Sequence, residues 1–101
     1  MVIPFPFSDL SASKRRPALV LIDLPGDDVI LCQITSHAVS NAFAIPITSS
    51  DFASGGLNRD SNVRPDRLFT ADARLILYRA GALTSAKMDE IVRAVVALIT
   101  S

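Results

Sequence analysis

A chain of 101 residues, half of them hydrophobic and a fifth charged, fits one small domain with a true core and excludes a disordered segment or a two-domain arrangement. Ten Lys and Arg balance ten Asp and Glu, so net charge selects no partner and only the local arrangement of charge is informative. One cysteine and one histidine exclude an internal disulfide and a Cys/His zinc set.

Residues 1–7 alternate in type, with Pro4 and Pro6 two apart. Proline has no N–H for a sheet ladder, so an edge strand is expected here, both prolines on one side. Residues 8–14 (SDLSASK) are small and polar and predict a loop. The run 17–24 (PALVLIDL) signals a strand, 24–28 a turn, and 29–34 (VILCQI) a second apolar strand, together an antiparallel hairpin. Cys32, inside that run, is expected as a small buried hydrophobe. Residues 35–41 (TSHAVSN) break the pattern as a loop. A further strand is expected over 43–48 (FAIPIT), where Pro46 marks an edge or bulge, and 49–56 is loop-like. Residues 61–64 and 67–77 predict two short strands around a break at Pro65-Asp66, and Gly81 is expected to end the sheet region.

The last segment changes period. Thr84 or Ser85 can cap a helix, with Asp89 and Glu90 early in it. Met88, Ile91, Val92, Val95, Leu98 and Ile99 recur at helical spacing on one face, with Lys87, Asp89, Glu90 and Arg93 on the other. Its β-branched residues lower helix propensity, so packing must hold it. Five or six short strands followed by one helix predict a mainly β, curled, barrel-like sheet with a helix packed on it, a single domain over 1–101. No apolar run approaches the ~20 residues of a membrane-spanning helix. No basic region precedes an apolar stretch at the N-terminus either. Both points suggest a soluble protein of a reducing compartment, the cytoplasm.

Three polar clusters interrupt the apolar framework. In Lys14-Arg15-Arg16-Pro17, the proline holds Arg16 extended, and a guanidinium at a strand end suits a phosphate or a developing phosphorane charge. The same residues equally suit a solvated charge run. In Thr35-Ser36-His37, hydroxyls at a strand end can donate to phosphate oxygens and the imidazole can exchange protons near neutral pH; an ordinary turn is the competing reading. In Arg64-Pro65-Asp66, with Arg67 beside it, residues two apart on an extended chain share a side. Such a pair can take a proton from a ribose 2′-hydroxyl and stabilise a leaving oxygen, or simply form a surface ion pair. Free guanidinium is a poor acid, which favours charge stabilisation as the arginine's role. No glycine-rich phosphate loop, metal-ligand spacing or Ser/His/Asp set is evident.

The run Val2-Ile3-Pro4-Phe5-Pro6-Phe7-Ser8-Asp9-Leu10, with Lys14-Arg15-Arg16-Pro17-Ala18-Leu19-Val20 after it, resembles the opening of PemK/MazF-type toxins of type II toxin–antitoxin systems. Leu31-Cys32-Gln33-Ile34-Thr35-Ser36 resembles that family's third strand. Ser61-Asn62-Val63-Arg64-Pro65-Asp66 resembles its Arg-x-Asp strand, and Gly81-Ala82-Leu83-Thr84 its approach to the last helix. The resemblance covers nearly the whole chain. It implies an SH3-like barrel of the CcdB/PemK/MazF type that forms a homodimer. The implied activity is an endoribonuclease that cuts single-stranded mRNA at short sequences, without metal or cofactor, through 2′-hydroxyl attack to a 2′,3′-cyclic phosphate. Carried over by position, Arg16 and Thr35 hold the scissile phosphate, Arg64 is the acid or charge stabiliser, and Asp66 is the base. Lys14, Arg15, Ser36, His37 and Arg67 are then expected to bind RNA. A cognate antitoxin is the implied protein partner, with DNA contacted only through the antitoxin complex. One departure is that the family's Gly-Asp start to the first strand is missing: Met1 already falls within that strand, so either the start lies upstream or the strand is short. CcdB, with a related barrel, poisons DNA gyrase, so a non-catalytic gyrase-binding toxin and an inactive antitoxin-binding member are the alternatives.

Overall fold

The computed structural model describes residues 1–8, 13–36, 43–76 and 78–101, without the side chains of 5–8 and 13–15. Among the described residues seven strands are formed: β1 (Val2–Ser8), β2 (Ser13–Asp23), β3 (Asp28–Thr35), β4 (Ile45–Ile47), β5 (Phe52–Gly55), β6 (Ser61–Asp72) and β7 (Gly81–Leu83). One helix, α1 (Ser85–Ile99), follows. The strands make a single curled antiparallel sheet in the order β4-β6-β3-β2-β1-β7-β5, a half-barrel that bears out the expected mainly β, curled sheet with more strands than the five or six expected.

Two apolar layers follow from strand alternation. Val2, Leu19, Cys32, Ile34, Ile45, Ile47, Val63 and Leu83 are buried on one face with Ile91 of α1. Ile3, Ala18, Val20, Val29 and Leu31 are buried on the other. Central strands with both faces covered read as continuous apolar runs, which is why 17–24 and 29–34 lack a clean polar/apolar alternation.

The prolines shape the middle of the sheet. Strand β1 is not the edge expected for it: it lies between β2 and β7. Its pairing with β7 is confined to Val2↔Gly81, so Pro4 and Pro6 run past the end of that neighbour. Toward β2, Pro4 stands directly opposite Pro17. The bond from Val20 N–H to the Met1 carbonyl (2.8 Å) sets the alternation, which makes Pro4/Pro17 a pair that exchanges no ladder bonds. Both missing N–H groups therefore face away from the β1–β2 ladder. Pro46, exposed on β4, does sit on a sheet edge as expected.

Elsewhere the strands extend beyond their sequence signals. Residues 13 and 14, expected in a loop, pair with Ser8 and Phe7 and begin β2. The loop-like stretch 49–56 contains a 3-10 turn (Ser49–Asp51) and β5, the second sheet edge. Gly81, expected to end the sheet, begins β7. The β5–β7 pairing needs glycine: a Cβ on Gly81 would stand 2.7 Å from the Ser54 carbonyl oxygen, and Gly55 has φ +64°. Segments 61–64 and 67–77 are one strand, β6, to Asp72, with a register shift where the break was expected.

Thr84 caps α1, its hydroxyl accepting from Lys87 N–H at 3.2 Å, while its own N–H donates to the Asp51 carbonyl at 2.8 Å. Lys87 Nζ lies 2.9 Å from Glu90 Oε1 and 3.8 Å from Asp51 Oδ1, tying the helix start to the 3-10 turn. The apolar face is narrower than its spacing predicts. Ile91 is fully buried and Met88 and Ala94 pack beside it, but Val92 is 44% and Ile99 68% exposed. A helix resting on a sheet that curls away touches it along one stripe, and residues 100° around from Ile91 miss it. No described helix is long and apolar enough to cross a membrane.

Candidate functional site

The polar residues of the sheet collect on the face opposite α1. Cys32, Ile34 and Val63 point toward the helix, so Gln33, Thr35, Asn62 and Arg64 point away from it. In register, Ala18 lies opposite Gln33 and Gln33 opposite Arg64, while Thr35 lies opposite Asn62. Directly paired residues share a face, so this row is continuous with the buried Ala18 and Ile3. Arg16 has the same parity as Ala18. The β2–β3 pairing ends at Ala18↔Gln33; continued two residues further, that register would set Arg16 level with Thr35.

A bulge completes the cluster. Cys32 pairs with Leu68 but Gln33 with Arg64, which leaves residues 65–67 unpaired. Proline, unable to donate to the ladder, suits this position. Pro65 is buried toward α1. Its neighbours Arg64 and Asp66 are thereby turned to the same side, with Arg64 Nη2 3.0 Å from Asp66 Oδ2 and Nε 3.4 Å from Oδ1. Their side chains are 18% and 24% exposed, so the pair is half sheltered yet open to a solute.

Arg16 and Arg64 stand two strands apart, ~10 Å across the sheet and ~7 Å along it. Long guanidinium side chains from both can meet over the intervening strand, where Thr35 projects. Among the described residues, no carboxylate lies within ion-pair distance of Arg16, which is half-buried. Thr35 is partly buried and Ser36 exposed where β3 ends, and Arg67 is exposed in the bulge. Thus Arg16, Thr35, Arg64 and Asp66 share one face and neighbouring rows. His37 and the side chains of Lys14 and Arg15 lie outside the described residues. Gln33 and Asn62, not singled out from sequence as site residues, join the patch; strand parity with Thr35 and Arg64 was the available signal.

Sequence comparison places the chain in a family. Residues 2–99 match the family described as PemK-like, MazF-like toxin of type II toxin-antitoxin system. The chain belongs to that family. Among solved structures, the Mycobacterium tuberculosis toxin MazF-mt6 shares its fold with a TM-score of 0.70, at 24% identity over 96% of each chain. An endoribonuclease from a mycobacterial species superposes with a TM-score of 0.73, at 18% identity over 98% of this chain and 86% of its own. The MazE–MazF structure from Deinococcus radiodurans gives a TM-score of 0.73, at 17% identity over 98% of this chain and 92% of that one. No curated protein matches the sequence. Membership identifies the chain as a toxin of the type II toxin–antitoxin class.

An apolar groove of about 560 Å³ lies elsewhere, on the α1 side, between Phe43, Ala44 and Ile45, Pro65, and Ala94, Ala97 and Leu98 of the helix. It holds neither the ion pair nor Thr35, and its one acid, Glu90, is occupied by Lys87. The polar face is the better candidate, because the groove lining offers no cation for a phosphodiester and its carboxylate is already ion-paired.

Proposed function

We propose that the protein is a metal-independent endoribonuclease that cleaves single-stranded mRNA by internal transesterification. The observation that carries this is the half-sheltered Arg64–Asp66 pair at 3.0 Å, set in a bulge on the same sheet face as Arg16 and Thr35. The roles follow from the chemistry of each group. Arg16 and the Thr35 hydroxyl donate to the non-bridging oxygens of the scissile phosphate. Asp66 accepts the 2′-hydroxyl proton as that oxygen bonds to phosphorus. The P–O5′ bond breaks, and Arg64 stabilises the charge on the departing 5′ oxygen. The departing oxygen takes a proton from solvent and Asp66 gives its own back to solvent, so the products are a 2′,3′-cyclic phosphate and a 5′-hydroxyl and the step balances without a co-reactant. Guanidinium and hydroxyl donors do the work a Lewis acid would otherwise do on the phosphoryl oxygens.

The flanking residues Lys14, Arg15, Ser36, His37 and Arg67 track the RNA backbone. The protein acts as a homodimer, which extends the RNA path across two copies, and a cognate antitoxin silences it. The similarity to an endoribonuclease solved in complex with its cognate antitoxin, at 17% identity and TM-score 0.70, supports that last point. Purified protein incubated with mixed-sequence RNA in EDTA tests the reading. Discrete fragments with cyclic-phosphate 3′ ends are expected. RNA that stays intact, with growth arrest through a topoisomerase instead, would remove it.

A further inference from the structure

Gln33 is the only polar side chain in the β3 run 29–34. It points to the polar face, between Ala18 on β2 and Arg64 on β6 in register, two residues before Thr35. The β3–β6 register breaks at this residue, so the bulge that carries Asp66 begins beside it. A polar group in an interior strand is costly unless something satisfies it. The Gln33 amide makes no hydrogen bond among the described residues, and it keeps solvent access, since no fully buried side-chain nitrogen or oxygen is unpaired there. Its β2 neighbour Ala18 is apolar and buried, so nothing on that side bonds the amide.

We propose that Gln33 reads the base next to the scissile phosphate and so sets which RNA sequence the protein cuts. This rests on the ribonuclease reading above and adds to it what the other residues lack. Guanidiniums and hydroxyls grip phosphate, which is the same in every sequence. An amide carries a donor and an acceptor side by side and recognises the matching pair on the edge of an unstacked base. Cross-strand partners stand about 5 Å apart at Cβ, so with the departing 5′ oxygen at Arg64 a base beside the scissile phosphate comes within reach of Gln33.

Cut-site mapping of wild-type, Gln33→Leu and Gln33→Asn protein on a randomised RNA tests this. It is paired with binding to the same RNA carrying 2′-deoxyribose at the cut site. Wild-type protein is expected to prefer one base beside the cut. Gln33→Leu should lower that discrimination roughly 10-fold, leaving preferences further away intact, and Gln33→Asn should restore part of it. Thermal melting of Gln33→Leu at or above the wild-type value shows that the fold is kept. A preference unchanged in Gln33→Leu, or an equal loss of rate on every sequence, overturns the proposal. Wild-type protein that cuts nothing, yet binds with a base preference lost in Gln33→Leu, overturns the ribonuclease reading alone. Absence of both cleavage and base-selective binding overturns both.

Discussion

Arg64 grips Asp66 at two points although the residues are only two apart on one strand: Nη2 meets Oδ2 at 3.0 Å and Nε meets Oδ1 at 3.4 Å. A regular strand would spread them ~6.7 Å along its axis. The bulge, with Pro65 turned inward, draws them together. A half-sheltered pair still open to water adds little stability, about 1 kcal/mol or less. Under the proposed mechanism its value lies in fixing a proton acceptor next to a cation.

Arg64→Ala and Asp66→Asn are each expected to slow RNA cleavage by about 100-fold or more. Urea unfolding should move by less than ~1 kcal/mol. Cleavage within about three-fold of wild type for either variant would place the chemistry elsewhere. Arg16→Ala should behave likewise through lost phosphate binding.

Gly81→Ala is expected to cost about 1–3 kcal/mol, because its Cβ would stand 2.7 Å from the Ser54 oxygen and 2.9 Å from Gly56 N, both backbone. Gly55→Ala should cost at least as much, since φ is +64° and the Ala80 carbonyl blocks the space. Gly26, at φ +85° with open space around it, is the control, losing about 1–2 kcal/mol on change to alanine. Equal losses at all three positions in chemical denaturation would show that close β5–β7 packing is not what selects glycine.

Burial pushes the Cys32 thiol up to about 12, against about 8.5 in an unfolded chain. Between those values the unfolded thiol ionises and the folded one does not. The stability it contributes is therefore complete below about pH 8.5 and is lost as pH rises toward 12, at up to ~1.4 kcal/mol per pH unit. Cys32→Ala should flatten that alkaline limb in pH-dependent unfolding, at the cost of a small cavity. Native protein should resist thiol-disulfide reagents at neutral pH and react on unfolding; fast labelling of the folded protein would contradict this.

Thr84→Ala is expected to destabilise the protein by about 1 kcal/mol, since the hydroxyl accepts the Lys87 N–H at the helix start. Thr84→Ser should be nearly neutral. A helix signal by circular dichroism that melts at the same urea concentration in Thr84→Ala would show the cap to be idle.

The composition and period of the chain determined a good deal by themselves. The apolar runs around Val20 and Leu31, the helical spacing near Ile91, and the capping threonine mark a mainly β domain closed by one helix. Arg64 and Asp66 were legible as a same-side pair because alternation is a local property of extended chain. What stayed hidden depended on neighbours. Residues 52–55 carry almost no strand signal, and they form β5 because Gly81 lets another backbone come close. Pro4 sits inside a sheet because its N–H side faces past the short β7. The exposed Val92 shows the converse, since an apolar stripe is only as wide as the surface it meets. Above all, strand register is a long-range quantity. Only the folded sheet decided that Gln33 lies beside Arg64 and that Arg16 shares their face, because pairing residues far apart in the chain depends on how the whole sheet curls.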